Sequence, residues 1–358
     1  MSQTGSKPTI VVVFNQKGGI GKTTTSVNLA VCLAALGRSV VLVDLDAQSN
    51  ATTSVGLSSP AATGAYQLLR GEVDVQHACR PTPYPNLRLV AGSDDLSWAD
   101  VEIAVRPDPQ HVLERALATA PDDVDVMVID CAPAFGILSV NAMVAADVVI
   151  LPVVPSPLAL DGLHKAWWNI QRVRKYFNRD LDSLGIVFTM TEQSELMQRL
   201  TEAIMASFGG RVLPVMIPRD LKVIEAAARD LPLVVLDPDT PAAVSYLRLA
   251  EVVLARMIDK GKPGPSDAAR AEALALLRQW RNPRSEAAAA ELDALPPVRE
   301  SPPMEPGAPP AADWDESLTE SELLAPASDL GWKIGVAVML VALGAVLGFA
   351  FGRWFYVG

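Results

Sequence analysis

The stretch Thr9 to Thr25, TIVVVFNQKGGIGKTTT, decides the fold. Its opening run, Ile10 to Phe14, is apolar and rich in β-branched residues, the composition of a short strand buried on both faces of a parallel sheet. Asn15 to Gly21 breaks that run with three glycines. From Lys22 onward the apolar residues Val27, Leu29, Ala30, Leu33 and Ala34 recur at helical spacing until Gly37 stops them. Strand, glycine loop and helix N-terminus in that order converge backbone N–H groups and the positive end of a helix dipole, which makes an anion site. In such a loop Gly18, Gly19, Ile20, Gly21, Lys22, Thr23 and Thr24 wrap the phosphates of a nucleotide. Lys22 reaches the β- and γ-phosphates, and the Thr23 hydroxyl ligates Mg²⁺.

The strict spacing GxxxxGK[ST] would place a glycine where this chain has Gln16, and the loop carries an additional lysine, Lys17. Two further strands end in carboxylates. Ser39 to Val43 runs into Asp44 and Asp46, and Asp125 to Asp130 (DVMVID) runs into Cys131. A carboxylate at the carboxyl end of a strand in an open α/β sheet lies in the ligand crevice. Asp44 is therefore the first candidate for orienting an attacking water and Asp46 the second, while Asp130 holds Mg²⁺ through water. Cys131 reads as a small packing residue.

Strand and helix patterns alternate to about residue 258, with strands expected at Leu87–Val90, Leu184–Met190 and Val212–Ile217, and a helix end followed by a buried strand within Ala145–Pro152. The expected fold class is thus α/β, a doubly wound and mostly parallel sheet. Leu158 to Phe177 reads as a helix whose Arg172, Arg174 and Lys175, with Arg179 beyond, form a solvated basic face. His77, His111 and His164 lack metal-ligand spacing, and Cys32, Cys79 and Cys131 lack paired spacing, which fits a reduced compartment. Met1 to Pro8 is short and polar, unlike a signal peptide.

From Lys7 to about Lys260 the chain resembles the ParA/Soj branch of the ParA/MinD superfamily of deviant P-loop ATPases. The strings FNQKGGIGKTTTSVNLA, VVLVDLDAQSNAT, VMVIDCAPAFG, LPVVPSPLALDGL and VMIPRDLKVIEAAARDLPLVVLDPDTPAAVSYLRLAEVV carry the resemblance. It implies an ATP hydrolase, slow and stimulated by a partner protein, that forms an ATP-dependent sandwich homodimer. Lys17 of one subunit would reach the nucleotide of the other. Catalysis would fall to Lys17, Lys22 and Asp44, with Thr23, Asp44 and Asp130 around Mg²⁺ and water, and Pro218 near the adenine. The chain departs from the family pattern at Ala47, at Ala132 and in the loop Thr191-Glu192-Gln193-Ser194-Glu195. Two carboxylates where a phosphate-binding arginine is expected oppose DNA contact.

Composition changes after residue 262. Residues 1–262 hold 28 acidic and 23 basic side chains, the remainder 13 and 7, and 11 of the 28 prolines fall in the second part. Both parts are net negative, so contact with DNA or anionic lipid needs a local basic patch. Residues 261–330 read as a Pro/Ala-rich acidic linker outside the fold, with short helical segments at Asp267–Trp280 and Glu286–Leu295. Ile334 to Gly352 carries no charge over 19 residues, long enough as a helix to span the hydrocarbon core. Trp332 and Lys333 flank it on one side and Arg353, Trp354, Phe355 and Tyr356 on the other. Residues 333–354 therefore read as a transmembrane helix, whose Gly344, Gly348 and Gly352 permit close helix contact.

These features together describe a membrane-anchored ATPase with its nucleotide domain in the cytoplasm, partitioning or positioning a cargo of DNA or protein. The alternative is a membrane scaffold that binds ATP as a structural ligand and hydrolyses it negligibly.

Overall fold

In a computed structural model residues 7–57, 63–258 and 265–280 are described. Eight strands form one sheet: β1 (Thr9–Val13), β2 (Val40–Leu45), β3 (Cys79–Pro81), β4 (Leu87–Val90), β5 (Val126–Cys131), β6 (Val148–Val153), β7 (Asp182–Thr191) and β8 (Val212–Pro218). Their order is β3-β4-β2-β5-β1-β6-β7-β8, and every neighbouring pair is parallel except β3 with β4.

The helices are α1 (Lys22–Ala35), α2 (Asn50–Ser54), α3 (Ala65–Arg70), α4 (Val75–Ala78), α5 (Leu96–Ala104), α6 (Val112–Leu117), α7 (Ile137–Ala145), α8 (Ala159–Tyr176), α9 (Glu195–Phe208), α10 (Lys222–Ala228), α11 (Leu233–Leu236), α12 (Pro241–Val253) and α13 (Asp267–Trp280). Successive side chains of a strand point to opposite faces. Accordingly, Val11 and Val13 of β1 join a core roofed by α1, α11, α12 and α13. Ile10, Val12 and Phe14 join another beneath α3 and α5 to α9.

Right-handed crossovers decide which helix covers which face. The step from β1 through α1 to β2 moves one way across the sheet. The steps from β5 through α7 to β6 and from β6 through α8 to β7 move the other way, so their helices take the opposite face. Strand β1 sits between β5 and β6 with Val11, Val12, Val13 and Phe14 fully buried. Burying a side chain of this size stabilises by about 1.5–3 kcal/mol. The glycine loop therefore leaves the sheet from one of its best anchored strands.

The strands expected from sequence recur at β1, β2, β4, β5, β6, β7 and β8, with ends shifted by a residue or two. The antiparallel strand β3 and the helix α5 were not legible. The reading of 261–330 as a linker outside the fold requires one correction. Helix α13 occupies the expected Asp267–Trp280, but it docks on the core: Ala273 and Leu277 are buried, and the Trp280 and Tyr84 ring centroids lie 5.9 Å apart. Arg270 pairs with Glu251 at 2.5 Å and Arg278 with Asp239 at 2.5 Å. Apolar residues at helical spacing fill a groove that the rest of the domain leaves, so composition alone misplaced them. Among the described residues no helix is long and apolar enough to cross a membrane. The expectations for 281–358, including the transmembrane helix at 333–354, lie outside the described residues.

Candidate functional site

The loop between β1 and α1 is clamped at both ends. At its start, Asn15 Nδ2 donates to the Pro152 carbonyl at the end of β6 (2.9 Å), while Asn15 Oδ1 accepts from the Lys17 N–H (3.2 Å). Near its finish, the buried Ile20 presents its carbonyl to the Thr189 hydroxyl of β7 (2.9 Å). Gly19 and Gly21 have φ of +69° and +83°, which L side chains adopt only with strain. Helix α1 then begins from Gly21 with no side-chain cap and no acidic residue in its first turn. Its first N–H groups and dipole are left for a ligand.

Within this cradle the two lysines differ. Lys22 is buried and its Nζ donates to the Lys17 carbonyl (3.0 Å). Burial pulls its pKa below the usual lysine range, against the opposing pull of Asp130 and Asp46. Lys17 is exposed, with its Nζ 3.5 Å from the Ser156 hydroxyl.

The carboxylates stand at the ends of β2 and β5. Asp130 is fully buried and accepts the Thr23 hydroxyl on one oxygen and the Ser26 hydroxyl on the other, both at 2.8 Å. The parallel register sets Asp44 opposite it. Burial raises both acids above the usual carboxylate range, and for Asp130 the neighbouring Asp44 charge adds to it. Two buried acids facing one partly desolvated lysine leave a negative deficit that a divalent cation would offset. Among the described residues no group of three or more His, Cys, Asp or Glu could hold a metal alone. A cation here needs oxygen ligands from elsewhere as well, which suits Mg²⁺ carried with phosphates.

Asp44 and Asp46, two residues apart, are placed differently. Asp44 Oδ2 accepts both the Thr52 hydroxyl (2.7 Å) and the Thr52 N–H (2.9 Å), and Oδ1 accepts the Asp46 N–H (3.1 Å). The Thr52 hydroxyl in turn accepts the Gly92 N–H (2.9 Å). A Cβ on Gly92 would stand 2.9 Å from Asp44 Cγ and 3.0 Å from the Asp46 carbonyl oxygen, so only glycine fits. Asp46 is 8% exposed and accepts the Gln48 N–H on one oxygen (3.0 Å), while its charge acts on Lys22.

Beside the loop, Gly21 and Thr24 form one wall of a cavity of about 400 Å³ whose other walls include Thr189, Met190, Ile217 and Pro218. That volume is within the range of small-molecule sites. Met190 has φ of +52°, a strained conformation for a side chain of its size. Glu192 and Arg219 close the rim with an ion pair at 2.7 Å, and Glu195 is paired with Arg199 at 2.5 Å. A wider hollow of about 690 Å³ near α3 and α6 contains Arg70, Arg106 and Arg115, but Arg106 is spent on the Leu69 carbonyl and Arg70 on Glu72.

The structure thus assembles Gly18 to Thr24, Asp44 and Asp130 in one crevice and puts Pro218 on the wall of the adjoining cavity. Lys17 lies on the loop's exposed side. Ser26, Thr52 and Gly92 escaped the sequence reading. Ser26 was findable, because it follows Thr23 by three residues on one helix face. Cys131 is buried and its thiol is pushed up by that burial, as fits a packing residue.

An AAA domain family model matches residues 8–183. The chain is 36% identical over 248 residues to the sporulation initiation inhibitor protein Soj of Bacillus subtilis, covering 69% of this chain and 98% of that protein. It is 35% identical over 255 residues to the chromosome partitioning protein ParA of Caulobacter vibrioides, covering 70% and 96% respectively. Among solved structures, it is similar to cobyrinic acid a,c-diamide synthase from Mycobacterium smegmatis with bound ADP and magnesium. That likeness has 28% identity and a TM-score of 0.63, over 72% of this chain and 99% of that one.

Proposed function

The chain belongs to the Soj/ParA family of chromosome-partitioning P-loop ATPases, and on that premise we propose a membrane-tethered ATPase in which ATP works as a dimerisation switch for partitioning or positioning a cargo. The observation that carries the reading is the Thr23 hydroxyl on Asp130 at 2.8 Å, directly beneath an uncapped helix N-terminus. The N–H groups from Gly18 to Thr24 receive the phosphates, and Lys22 leaves the Lys17 carbonyl to pair with them. Thr23 would hold Mg²⁺ with Asp130 behind it. When bound there, the cation would supply positive charge to offset that of the phosphates. Pro218 lies against the base in the adjoining cavity.

Lys17 stands outside the loop and would reach the nucleotide of a second subunit. Asp44 was the first choice in sequence for orienting the attacking water, but its oxygens already take three hydrogen bonds. Asp46 has an oxygen to spare, so we assign the water to Asp46 and the bracing of its loop to Asp44. The anchor is the segment 333–354, built on the uncharged run Ile334 to Gly352, with the ATPase domain on the cytoplasmic side. The bilayer, in place of DNA, is the matrix, in keeping with Glu192 and Glu195 where a phosphate-binding arginine was expected.

Phosphate release by the full chain in vesicles tests this reading. Asp46→Ala should slow release about 100-fold, the scale of a lost acid–base or positioning group, while ATP still binds. Release indistinguishable from zero in both wild type and variant, with ATP bound in each, would instead support the structural-ATP scaffold.

A further inference from the structure

Helix α8 turns Leu163, Ala166, Ile170 and Val173 into the core. Its outward side is the reverse in character. From Gly162 to Arg179 the chain has five cations, Lys165, Arg172, Arg174, Lys175 and Arg179, and no carboxylate, although its net charge is −11. None of the five forms an ion pair with a described residue. Asp161 and Asp180 flank the segment at its two ends.

Aromatic rings are interleaved with these charges. Trp168 is 59% exposed and Tyr176 63%, with the Arg172 guanidinium 4.6 Å above the Trp168 ring and the Lys175 ammonium 5.2 Å above the Tyr176 ring. Lys165, Trp168, Arg172 and Tyr176 recur at intervals of three or four residues along α8, so they form one stripe, and the exposed Arg179 follows three residues past its end. Cations in the last turn of a helix are explained by its dipole. That account does not reach Lys165 and Arg172 further up the helix, nor two large rings left in water.

We infer that this stripe lies on the anionic surface of a bilayer. The inference rests on the membrane-tethered reading above, because the uncharged run at 334–352 confines the domain within reach of such a surface. A headgroup layer takes both components, cations against lipid phosphates and Trp or Tyr rings at the level of the headgroups. Duplex DNA would take the cations but leave Trp168 and Tyr176 without a site, since its bases are stacked away inside.

The test uses the full chain reconstituted in phosphatidylcholine vesicles, with and without phosphatidylglycerol, and reads lysine acetylation by mass spectrometry. A cation near an anionic surface gains about fivefold in occupancy. Lys165 and Lys175 should therefore be acetylated about fivefold more slowly on the anionic vesicles, with Lys222 unchanged, and high salt should remove the difference. Arg172→Glu with Arg179→Glu should abolish the protection while the chain still floats with vesicles of both kinds. Flotation with both and equal acetylation on both overturns this inference and leaves the tether standing. Failure to float with neutral vesicles overturns the tether instead. Protection that appears with added duplex DNA, and not with anionic lipid, assigns the stripe to nucleic acid and overturns the inference.

Discussion

The two ends of the crevice are built on opposite principles. The phosphate end rests on β1, β2, β5 and β6 in the middle of the sheet, where Thr23, Ser26, Thr52 and Asn15 each have a defined partner. The cavity end rests on β7 and the edge strand β8. Their pairing shifts register twice, and Leu221 and Ile224 nearby are 72% and 67% exposed. Groups that must meet developing charge need fixed geometry, which packed central strands supply. A base needs shape and apolar surface, which an edge supplies with more tolerance. Substitutions should therefore be costly at the first end and mild at the second.

The largest effect is expected at Asp130. Asp130→Asn leaves one acceptor oxygen for the Thr23 and Ser26 hydroxyls and removes the chief counter-charge of Lys22, so Mg²⁺-dependent ATP affinity should fall about 100-fold, measured by calorimetry. Burial and the Asp44 charge already disfavour the ionised form of Asp130, so the nucleotide-free variant should melt no lower than wild type. A variant that lost both stability and affinity would blur the contrast between the ends, because the carboxylate would then be structural.

Next comes Gly92→Ala. Overpacking against Asp44 and the Asp46 carbonyl should cost about 1–3 kcal/mol in denaturant unfolding and should slow phosphate release by displacing the Asp46 loop. A smaller effect is expected from pH. Burial lifts Asp44 to about 6 and Asp130 to about 7, so the folded chain holds more protons than the unfolded one above the ordinary carboxylate range. Their contribution to stability is then complete below pH ~4 and is lost as pH rises toward 7. The nucleotide-free protein should lose a few degrees in Tm across that window, by roughly 2–4 °C per kcal/mol, and MgATP should reverse the trend. The smallest is Pro218→Ala, expected to raise KM less than about tenfold with kcat unchanged. A loss of kcat there would erase the distinction between the ends.

The same contrast explains what was legible in the sequence. The glycine loop, Lys22 and Thr23 are contiguous and flanked by a strand and a helix, so one local pattern reports them. Asp44 and Asp130 were legible because a strand-end acid has one place to go in a parallel sheet. Gly92 and Thr52 are joined to Asp44 by tertiary contacts over 48 and 8 residues, and no spacing rule reports such a bracket. The cavity walls, including Met190 with its positive φ, come from strand ends brought together by the sheet order. Helix α13 was read with the right bounds and the wrong surroundings, since amphipathic spacing specifies a buried face without naming what buries it.

The account depends most on the buried lysine beneath the α1 N-terminus. Titrating ATP into the full chain and into Lys22→Ala, with and without Mg²⁺, tests it directly. Tight binding that requires Mg²⁺ in the wild type and weakens at least about 100-fold in the variant is the predicted result. Equal affinities in the two chains, or wild-type affinity indifferent to Mg²⁺, would contradict it.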